Sequence, residues 1–279
     1  MALTFQKATK AQAKLRLGIY GPSGGGKTYT ALRIATGLGG RIAVIDTERG
    51  SASKYADRFA FDVLDLPQVD IGTYIEGIRA AAGYNVLIID SLTHAWHELL
   101  AEVERIAKAK YGGNTWSAWS EGTPLQRQLV DCLLNFDGHI IGTMRSKTEW
   151  TLGKDEKTGK SKPNRVGLAP EQGKGIEYEF DLLMGISADH CAHIEKDRTG
   201  KFQDRVIEKP GEELGKELAA WLEDGTPNYA AQWKERKDFV LDTLKELNLS
   251  AADAQAKLGV QSLVDCPFPP EELATKLKS

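Results

Sequence analysis

The segment at residues 21–28 constrains this chain more than any other feature of its sequence. It reads GPSGGGKT and matches the phosphate-loop pattern G-x-x-x-x-G-K-[ST] at every fixed position. Residues 15–20 before it have the pattern of a short alternating β-strand, and residues 29–35 after it have that of a helix. Glycines let the backbone curl so that several N–H groups face phosphate oxygens, and the helix N-terminus adds partial positive charge. The sequence therefore predicts a site for ATP or GTP, formed by Gly21, Pro22, Ser23, Gly24, Gly25, Gly26, Lys27, Thr28 and Tyr29.

Two acidic residues follow predicted buried strands. Residues 41–46 and 85–90 are apolar runs that each end in aspartate, and helical stretches separate them. This alternation is typical of a parallel sheet covered on both faces, whose ligands gather at the carboxyl ends of the strands. Asp90 would hold Mg²⁺ through water, and Glu48 would orient or deprotonate the attacking water. The alternative for each acid is an ordinary strand-end carboxylate that caps the next helix.

Two side chains of the loop itself carry specific chemistry. Lys27 would reach the β- and γ-phosphates, and the hydroxyl of Thr28 would bind Mg²⁺. A glycine-rich turn with a chance lysine is the alternative, which the flanking strand and helix disfavour. We therefore predict that Lys27 is catalytic and that Thr28 and Asp90 form the metal site.

Composition and charge exclude several classes of protein. With 279 residues, 41% apolar and 27% charged, the chain is long enough for one substantial α/β core and a small appendage. Its net charge of −3 excludes a polycation that coats nucleic acid, so such binding would need a local patch. No apolar run approaches the ~20 residues of a membrane span, and the N-terminus has no secretory signal pattern. Three widely spaced cysteines indicate reduced thiols. We expect a cytoplasmic protein with no membrane partner.

Several segments resemble the RecA/DnaB branch of phosphate-loop ATPases. Residues 44–48, VIDTE, resemble the strand that carries the catalytic glutamate of bacterial recombinases, and residues 86–91, VLIIDS, match their Walker B strand. In those proteins a tyrosine seven residues after the glutamate stacks on adenine, and here Tyr55 lies seven residues after Glu48. The resemblance implies a RecA-like core that uses ATP with Mg²⁺ and contacts the adenine through Tyr55.

A further segment extends this resemblance to a boundary between subunits. Residues 194–200, IEKDRTG, resemble the K-x-R-x-G segment of replicative helicases and the paired lysines of recombinases, which touch the γ-phosphate of the neighbouring subunit. The resemblance implies that Lys196 and Arg198 are catalytic in trans and that the chain forms a homo-oligomer, a ring or a filament. Judged from the residues alone, the same segment is also compatible with a polar hairpin turn between strands.

Within that branch the chain resembles the phage Sak-type single-strand annealing and recombination ATPases, over roughly residues 5–225. Residues 5–8, FQKA, also resemble the F-x-x-A peptide by which eukaryotic and archaeal recombinases dock onto the next protomer. One departure concerns the glutamine that usually ends the next core strand and senses the γ-phosphate. Here the strand at 139–143 runs into Met144 and Arg145. Either Arg145 takes the sensor role or the coupling of ATP to DNA differs.

The stretch at residues 145–174 is the predicted DNA-binding loop. It carries eight cations against four acids, and its glycines and prolines are expected to break any regular element. RecA-like proteins place their second DNA-binding loop after this core strand, and cations there would contact phosphates. The alternative is a solvated β-hairpin with no partner. The predicted DNA-contacting cations are Arg145, Lys147, Lys154, Lys157, Lys160, Lys162, Arg165 and Lys174.

Two tryptophans and several histidines have more than one interpretation. Trp116 and Trp119 lie between two helical stretches, where the first DNA loop of the family would fall. They would stack on unpaired bases, or else anchor a helix against the core. The sequence HCAH at residues 190–193 leaves a metal site as a minor alternative. His94 and His97 fall on a predicted helix and are expected to face solvent or a subunit boundary.

The predicted fold class is α/β, a RecA-like phosphate-loop core with a mostly parallel central sheet and a small C-terminal helical unit. The predicted divisions are an oligomerisation arm at residues 1–14, the ATPase core at 15–226 and the helical unit at 229–279. We expect an ATPase that oligomerises, binds single-stranded DNA and promotes annealing or strand pairing in phage recombination, in the host cytoplasm. Single-strand binding protein and other recombination proteins are further candidate partners. The alternatives are a nucleotide-switched replication accessory protein that recruits a helicase or another protein, and a small-molecule kinase.

Overall fold

The structure is a computed structural model that describes residues 10, 12–66, 69–154, 161–173, 175–225, 233–260, 262–264, 266 and 268–278, with the backbone alone at 149–154, 161–166, 234–235 and 270–271. Most of the arm predicted at residues 1–14 lies outside this description. The strands are β1 (Arg16–Gly21), β2 (Ile42–Asp46), β3 (Asp62–Asp65), β4 (Val86–Asp90), β5 (His139–Lys154), β6 (Ser161–Pro170), β7 (Leu182–Ile186), β8 (Cys191–Asp197) and β9 (Val206–Glu208).

Helices separate most of the strands and also follow the last one. A 3₁₀ turn at Ala52–Tyr55 lies between β2 and β3. Across the described residues, no helix is both long enough and apolar enough to cross a bilayer. The α-helices are α1 (Lys27–Leu38), α2 (Ile71–Ala80), α3 (Leu92–Lys110), α4 (Thr115–Leu134), α5 (Ile176–Glu179), α6 (Glu212–Glu223), α7 (Trp233–Glu246), α8 (Ala251–Leu258) and α9 (Pro270–Lys278).

The central sheet has the strand order β3-β2-β4-β5-β1-β7-β8-β9. Neighbouring strands are parallel from β3 to β7, and β8 and β9 add to that edge in antiparallel fashion. This confirms the predicted α/β fold with a mostly parallel sheet. The register aligns Asp46 with Asp90 and Gly21 with Arg145 at the carboxyl ends of their strands. Three predicted site positions, Gly21, Asp90 and Arg145, therefore share one edge of the sheet.

The first strand is buried along its whole length. Residues 15–20 were predicted to form a short alternating strand, and all six residues of β1 are buried. The strand is buried because it lies at the centre of the sheet, between β5 and β7. A Cβ atom on Gly21 would lie 2.3 Å from the carbonyl oxygen of Ile186. Glycine at this position thus lets the start of the phosphate loop pass close to the backbone of β7.

Strand β5 takes part in two different pairings. Its first half pairs with β4 and β1 in the central sheet, and from Ser146 to Lys154 it pairs with β6 in an antiparallel hairpin. The expectation that glycines and prolines would break any regular element at 145–174 is therefore wrong. Pro163 and Pro170 lie on β6, which within the described residues pairs on one side alone, and an edge strand tolerates proline. The tip at 155–160 lies outside the described residues.

The chain divides into two compact units. One is Lys14–Trp221, and the other combines the described residues up to Ala13 with those from Leu222 onward. The boundary predicted near residue 226 lies outside the described residues. Helix α8 begins with a capping box, in which Ser250 and Asp253 each accept the other's backbone N–H. The second unit has an apolar core of its own, made of Val240, Leu244, Ala254, Leu258, Leu263, Cys266, Leu273 and Leu277.

Candidate active site

The phosphate loop connects β1 to α1 at the centre of the sheet edge. Gly24 and Gly26 have φ values of 78° and 86°, in the left-handed region that favours glycine. The Lys27 ammonium donates to the carbonyl oxygens of Gly21 and Pro22 over 3.1 and 2.9 Å. Burial lowers the pKa of this ammonium, while nearby carboxylates oppose that change. The lysine predicted to reach the phosphates is thus held over the loop.

A threonine and an aspartate form the predicted metal site. The Thr28 hydroxyl donates to Oδ2 of Asp90 over 2.6 Å, and the Thr143 hydroxyl donates to Oδ1 of the same carboxylate. Asp90 is only 1% exposed, and burial raises its pKa, with both hydroxyl hydrogen bonds opposing that shift. A hydroxyl oxygen and a carboxylate oxygen side by side are the hard ligands that Mg²⁺ prefers. The donor set therefore fits Mg²⁺, with Thr143 as a contact that the sequence did not indicate.

The two acids after β2 have different roles. The Asp46 carboxylate is 2% exposed and accepts the backbone N–H groups of Glu48 and Ala52 over 2.6 and 2.8 Å. Asp46 thereby shapes the turn and caps the 3₁₀ helix. The Glu48 side chain faces the nucleotide cavity, where its Oε1 lies 3.3 Å from Nη2 of Arg145. Capping contacts were raised as the alternative for Glu48, but Asp46 makes them and the Glu48 carboxylate lines the cavity instead.

His94 connects Arg145 to the strand that carries Asp90. Nη2 of Arg145 donates to Nε2 of His94 over 2.8 Å, and Nδ1 of His94 lies 2.8 Å from the Thr47 hydroxyl. Because arginine can only donate, Nε2 is the unprotonated nitrogen and Nδ1–H donates to Thr47. Burial and the charge of Arg145 lower the pKa of His94, consistent with the neutral ring.

The position of His94 corrects the expectation that it faces solvent or a subunit boundary. The Thr47 hydroxyl in turn donates to the carbonyl of Asp90 over 3.1 Å and accepts the N–H of Ser91. His97, one turn later on α3, is exposed and lies 3.2 Å from Oε1 of Glu171. The helical periodicity of the sequence correctly placed both histidines on a helix. It could not show which strand α3 packs against.

Aromatic side chains line one wall of the site. The Tyr29 and Tyr55 rings have centroids 5.5 Å apart, and Phe59 lies edge-on to Tyr29 at 5.4 Å. Both tyrosines line the cavity, so a purine would find an aromatic face there. Phe59 follows Tyr55 by four residues and extends this aromatic cluster, although the sequence analysis did not single it out.

The phosphate loop, Asp90, Glu48 and the two tyrosines line one cavity of about 590 Å³. Two of its residues were not predicted as nucleotide contacts, Ser146 and Glu171, and Arg145 was considered only as an alternative γ-phosphate sensor. The cavity brings together, in a single chain, the residues predicted to bind the phosphates, to bind the metal, to activate the water and to contact the adenine. Its lining is Gly21, Pro22, Ser23, Gly24, Gly26, Lys27, Thr28, Tyr29, Glu48, Tyr55, Asp90, Arg145, Ser146 and Glu171.

The turn between β7 and β8 packs against the phosphate loop. Nδ1 of His190 lies 3.1 Å from the carbonyl oxygen of Gly25. A Cβ atom on Gly25 would also lie 3.3 Å from the carbonyl oxygen of Ser187. The sequence suggested His190 only as a minor alternative metal ligand, together with Cys191 and His193. Among the described residues, no cluster of three or more His, Cys, Asp or Glu side chains could hold a metal ion.

Lys196 and Arg198 lie at the opposite edge of the sheet from the phosphate loop. Lys196 pairs in register with Leu183 near the start of β7. Its ammonium donates to the carbonyls of Glu177 and Tyr178 over 2.7 and 2.8 Å, and Arg198 donates to the Tyr178 carbonyl over 2.6 Å. The Asp197 carboxylate accepts backbone N–H groups of the following turn. Neither cation reaches the nucleotide cavity of its own chain.

The predicted DNA-binding cations are distributed along and beside the β5–β6 hairpin. Arg145 turns into the nucleotide cavity, and Lys147 donates to the carbonyl of Gln172 over 3.3 Å at the hairpin base. Lys154, Lys162 and Arg165 lie on the hairpin strands, where only the backbone is described. Three further residues lie outside the described residues, namely Lys157, Lys160 and Lys174.

The two tryptophans lie on helix α4 and have different surroundings. The connection before α4 ends at Asn114, whose side chain accepts the N–H of Ser117. Trp119 stacks on Trp96 with ring centroids 5.9 Å apart and packs against the main core. Trp116 is 87% exposed. The anchoring alternative therefore describes Trp119, because its ring is already stacked within the protein, and Trp116 keeps an open ring face.

A comparison with known protein families agrees with this site. A family described as an AAA domain matches residues 13–213. A solved structure, a prototypical ATPase from the type III secretion system of pathogenic bacteria, aligns at 16% identity with a TM-score of 0.36, covering 95% of this chain and 80% of that one. The comparison with curated proteins found no match. The family match covers well over half of the chain and contains the phosphate loop, the metal site and Glu48, so the chain belongs to the AAA domain family and is a phosphate-loop ATPase.

Proposed function

We propose that this ATPase assembles into an oligomer, binds single-stranded DNA and promotes annealing or strand pairing in phage DNA recombination. ATP would lie with its triphosphate on the loop at residues 21–28 and its adenine against Tyr29 and Tyr55. Lys27 holds the β- and γ-phosphates, and Thr28 and Asp90 hold Mg²⁺. The metal supplies charge neutralisation at the phosphates during transfer to water.

The reaction is hydrolysis of the γ-phosphate by a water that Glu48 orients. As the water oxygen bonds to the γ-phosphorus, the bond to the β-phosphate oxygen breaks, and ADP leaves with that electron pair. Glu48 accepts a proton of the water and returns it to solvent. Positioning and charge stabilisation contribute most of the rate enhancement in this class of reaction.

The single observation that carries the DNA proposal is the continuity of β5. Arg145 and Ser146 line the nucleotide cavity, and from Ser146 the same strand runs into the β5–β6 hairpin. A structural change caused by the γ-phosphate would therefore be transmitted to the hairpin along one hydrogen-bonded strand, β5. The hairpin sequence is rich in lysine and arginine, which suits phosphate contacts that do not depend on base sequence. On another part of the core unit, Trp116 offers an exposed ring for stacking on a base.

The location of Lys196 and Arg198 supports an oligomer. Both cations lie at the sheet edge remote from the phosphate loop of their own chain. A head-to-tail assembly would bring this edge to the nucleotide of the next subunit. In that arrangement the two cations would complete the neighbour's site, and hydrolysis would depend on assembly.

The test is ATP turnover with and without single-stranded DNA. Two variants are compared with wild type: Glu48→Gln, and a hairpin variant with Lys154, Lys157, Lys160 and Lys162 changed to Gln. A matched control changes four exposed lysines elsewhere to Gln, namely Lys54, Lys108, Lys201 and Lys237. We expect DNA stimulation in wild type and the control, no stimulation in the hairpin variant, and no turnover in Glu48→Gln.

A second measurement is retention of labelled single-stranded DNA at low salt with ATP present. Absence of both stimulation and retention in wild type would contradict the proposal. The chain would then be tested for the alternative function, nucleotide-dependent recruitment of a helicase or another replication protein. Equal loss in the hairpin variant and the lysine control would show that only net charge matters.

A further inference from the structure

Arg145 lies at a three-way contact inside the nucleotide cavity. Its Cα is in register with Gly21, the first residue of the phosphate loop. Its Nη2 lies 3.3 Å from Oε1 of Glu48 and 2.8 Å from Nε2 of His94. The guanidinium also lies near enough to Lys27 to lower the pKa of that ammonium. A group at this place would face the terminal phosphate of a triphosphate bound on the loop.

The ion pair with Glu48 is a poor candidate for a purely structural contact. The Arg145 and Glu48 side chains are 48% and 33% exposed, and exposed pairs of this kind contribute little to stability. Only Nη2 appears in the described hydrogen bonds of this guanidinium, which has five N–H donors in all. A phosphoryl group, with three oxygens and more negative charge, would engage these donors better than one carboxylate oxygen.

The ion pair between Arg145 and Glu48 also engages the Glu48 carboxylate, the group that the proposed hydrolysis requires. The Oε1 atom that accepts from Arg145 is one of the two oxygens with which Glu48 could orient the water. As long as the pair is intact, Glu48 is drawn toward β5. Release of Arg145 from Glu48 would free the carboxylate and bring a cation to the developing charge in one movement.

We propose that Arg145 acts in cis on the γ-phosphate, exchanging Glu48 for the γ-phosphate oxygens when ATP binds, and that His94 is the residue that positions it. Arg145 stays protonated throughout and stabilises charge on the equatorial oxygens, while Glu48 takes the proton of the water. His94 holds the guanidinium through its neutral Nε2 and is itself fixed by Thr47, which is bonded to the backbone at Asp90. In this proposal the residue that senses ATP, Arg145, belongs to β5, the strand that leads into the β5–β6 hairpin.

The first test measures nucleotide affinity in the absence of DNA. Affinities for ATP and ADP are compared in a Glu48→Gln background, with and without Arg145→Gln, a substitution close in length that lacks the charge. We expect Arg145→Gln to weaken ATP binding by about 10-fold or more, as a charge-assisted contact implies, with less than about a threefold change for ADP. Equal weakening of both nucleotides, or of neither, would overturn the proposal.

The second test measures single-turnover hydrolysis with Glu48 intact. Loss of a charge-stabilising arginine should lower the rate by about 10²-fold or more, and Arg145→Lys should recover part of it. An unchanged or faster rate in Arg145→Gln would mean that the arginine only restrains Glu48, and the proposal would fail. If the same variant lost only DNA binding, Arg145 would be a DNA contact.

The third test separates positioning by His94 from a general packing role. We expect His94→Ala to slow single turnover about tenfold with ADP affinity unchanged, and His94→Gln, whose amide oxygen can accept from Arg145, to restore most of the rate. His97→Gln, on the same helix but paired with Glu171, is the matched control. Equal effects of His94→Ala and His94→Gln would contradict the positioning role. Because no DNA is present, these results stand or fall separately from DNA stimulation of the wild type.

Discussion

Nδ1 of His190 lies 3.1 Å from the carbonyl oxygen of Gly25, although 165 residues separate them in sequence. This contact joins the turn between β7 and β8 to the middle of the phosphate loop. A Cβ atom on Gly26 would lie 3.3 Å from the same nitrogen. Because His190 holds the Gly25 carbonyl toward the turn between β7 and β8, the N–H groups of the loop are left to point toward the phosphates.

We predict that His190→Ala weakens binding of ATP and ADP by a similar factor, about five- to tenfold, which corresponds to the loss of one hydrogen bond of about 1 kcal/mol. The single-turnover rate of bound ATP should change little, because the contact orders the loop and does not touch the γ-phosphate. Fluorescent nucleotide titration checks this, with His193→Ala on the same hairpin as control. A large loss of rate at unchanged affinity would contradict it.

Mixing two impaired variants tests whether Lys196 and Arg198 act on the nucleotide of the neighbouring subunit. Each of Lys27→Ala and the double substitution Lys196→Ala/Arg198→Ala should reduce turnover at least tenfold when assayed alone. If the cations act on the neighbour's nucleotide, a mixture of the two proteins should regain part of the activity, since some sites combine an intact loop with intact cations. Turnover as a function of mixing ratio measures this. A strictly additive mixture would show that the cations do not act in trans.

His139 should make the protein less stable in mild acid. Its Nδ1 accepts the backbone N–H of Leu15 over 3.0 Å, and burial lowers its pKa from 6.5 to about 4. The unfolded chain therefore binds a proton between those values when the folded chain does not. Stability from this group is complete above pH 6.5 and is lost as the pH falls toward 4, by about 3 kcal/mol at most.

The substitution His139→Asn keeps an acceptor near the same place and removes the titration. Urea unfolding at several pH values should show that the wild type loses more stability than His139→Asn between pH 6.5 and 4, with His97→Gln behaving like wild type. Parallel pH curves for wild type and His139→Asn would contradict the assignment.

A close contact between two helices predicts a steric effect. A Cβ atom on Gly37 of α1 would lie 2.1 Å from the carbonyl oxygen of Glu212 at the start of α6, and one on Gly215 would lie 2.3 Å from the carbonyl oxygen of Ile34. Gly37→Ala should therefore destabilise the core unit by about 1–3 kcal/mol, despite the better helix propensity of alanine. Thr36→Ala, exposed on the same helix, should stay within about 0.5 kcal/mol of wild type. Unfolding in urea compares the two variants.

The sequence was informative where short segments carry their own chemistry. The phosphate loop and the strands that end at Asp46 and Asp90 were predicted in place, because each depends on residues close together in sequence. The assignment of Glu48 to the water and of Tyr55 to the adenine gains support from their shared cavity. These assignments remain predictions until nucleotide binding is measured.

Contacts between distant segments could not be predicted in the same way. Arg16 begins β1, yet its buried guanidinium donates to carbonyls of Gly138, Leu134 and Phe136, more than a hundred residues away. Similarly, nothing in the helical spacing of His94 indicated that it would meet Arg145. Such contacts depend on strand order, and the order in which β5 and β7 flank β1 is not encoded in any local pattern.

That strand order also sets the time at which the ATP site can form during synthesis. Strand β1 leaves the ribosome before its partners, which begin more than a hundred residues later, with Arg16 opposite Ile140 and Leu17 opposite Leu182. The phosphate loop therefore gains its flanking strands only after the chain has been made through β7. Nucleotide affinity is therefore expected only once β7 has been made, and a nascent chain truncated before that strand would carry the complete phosphate-loop motif without a site to use it.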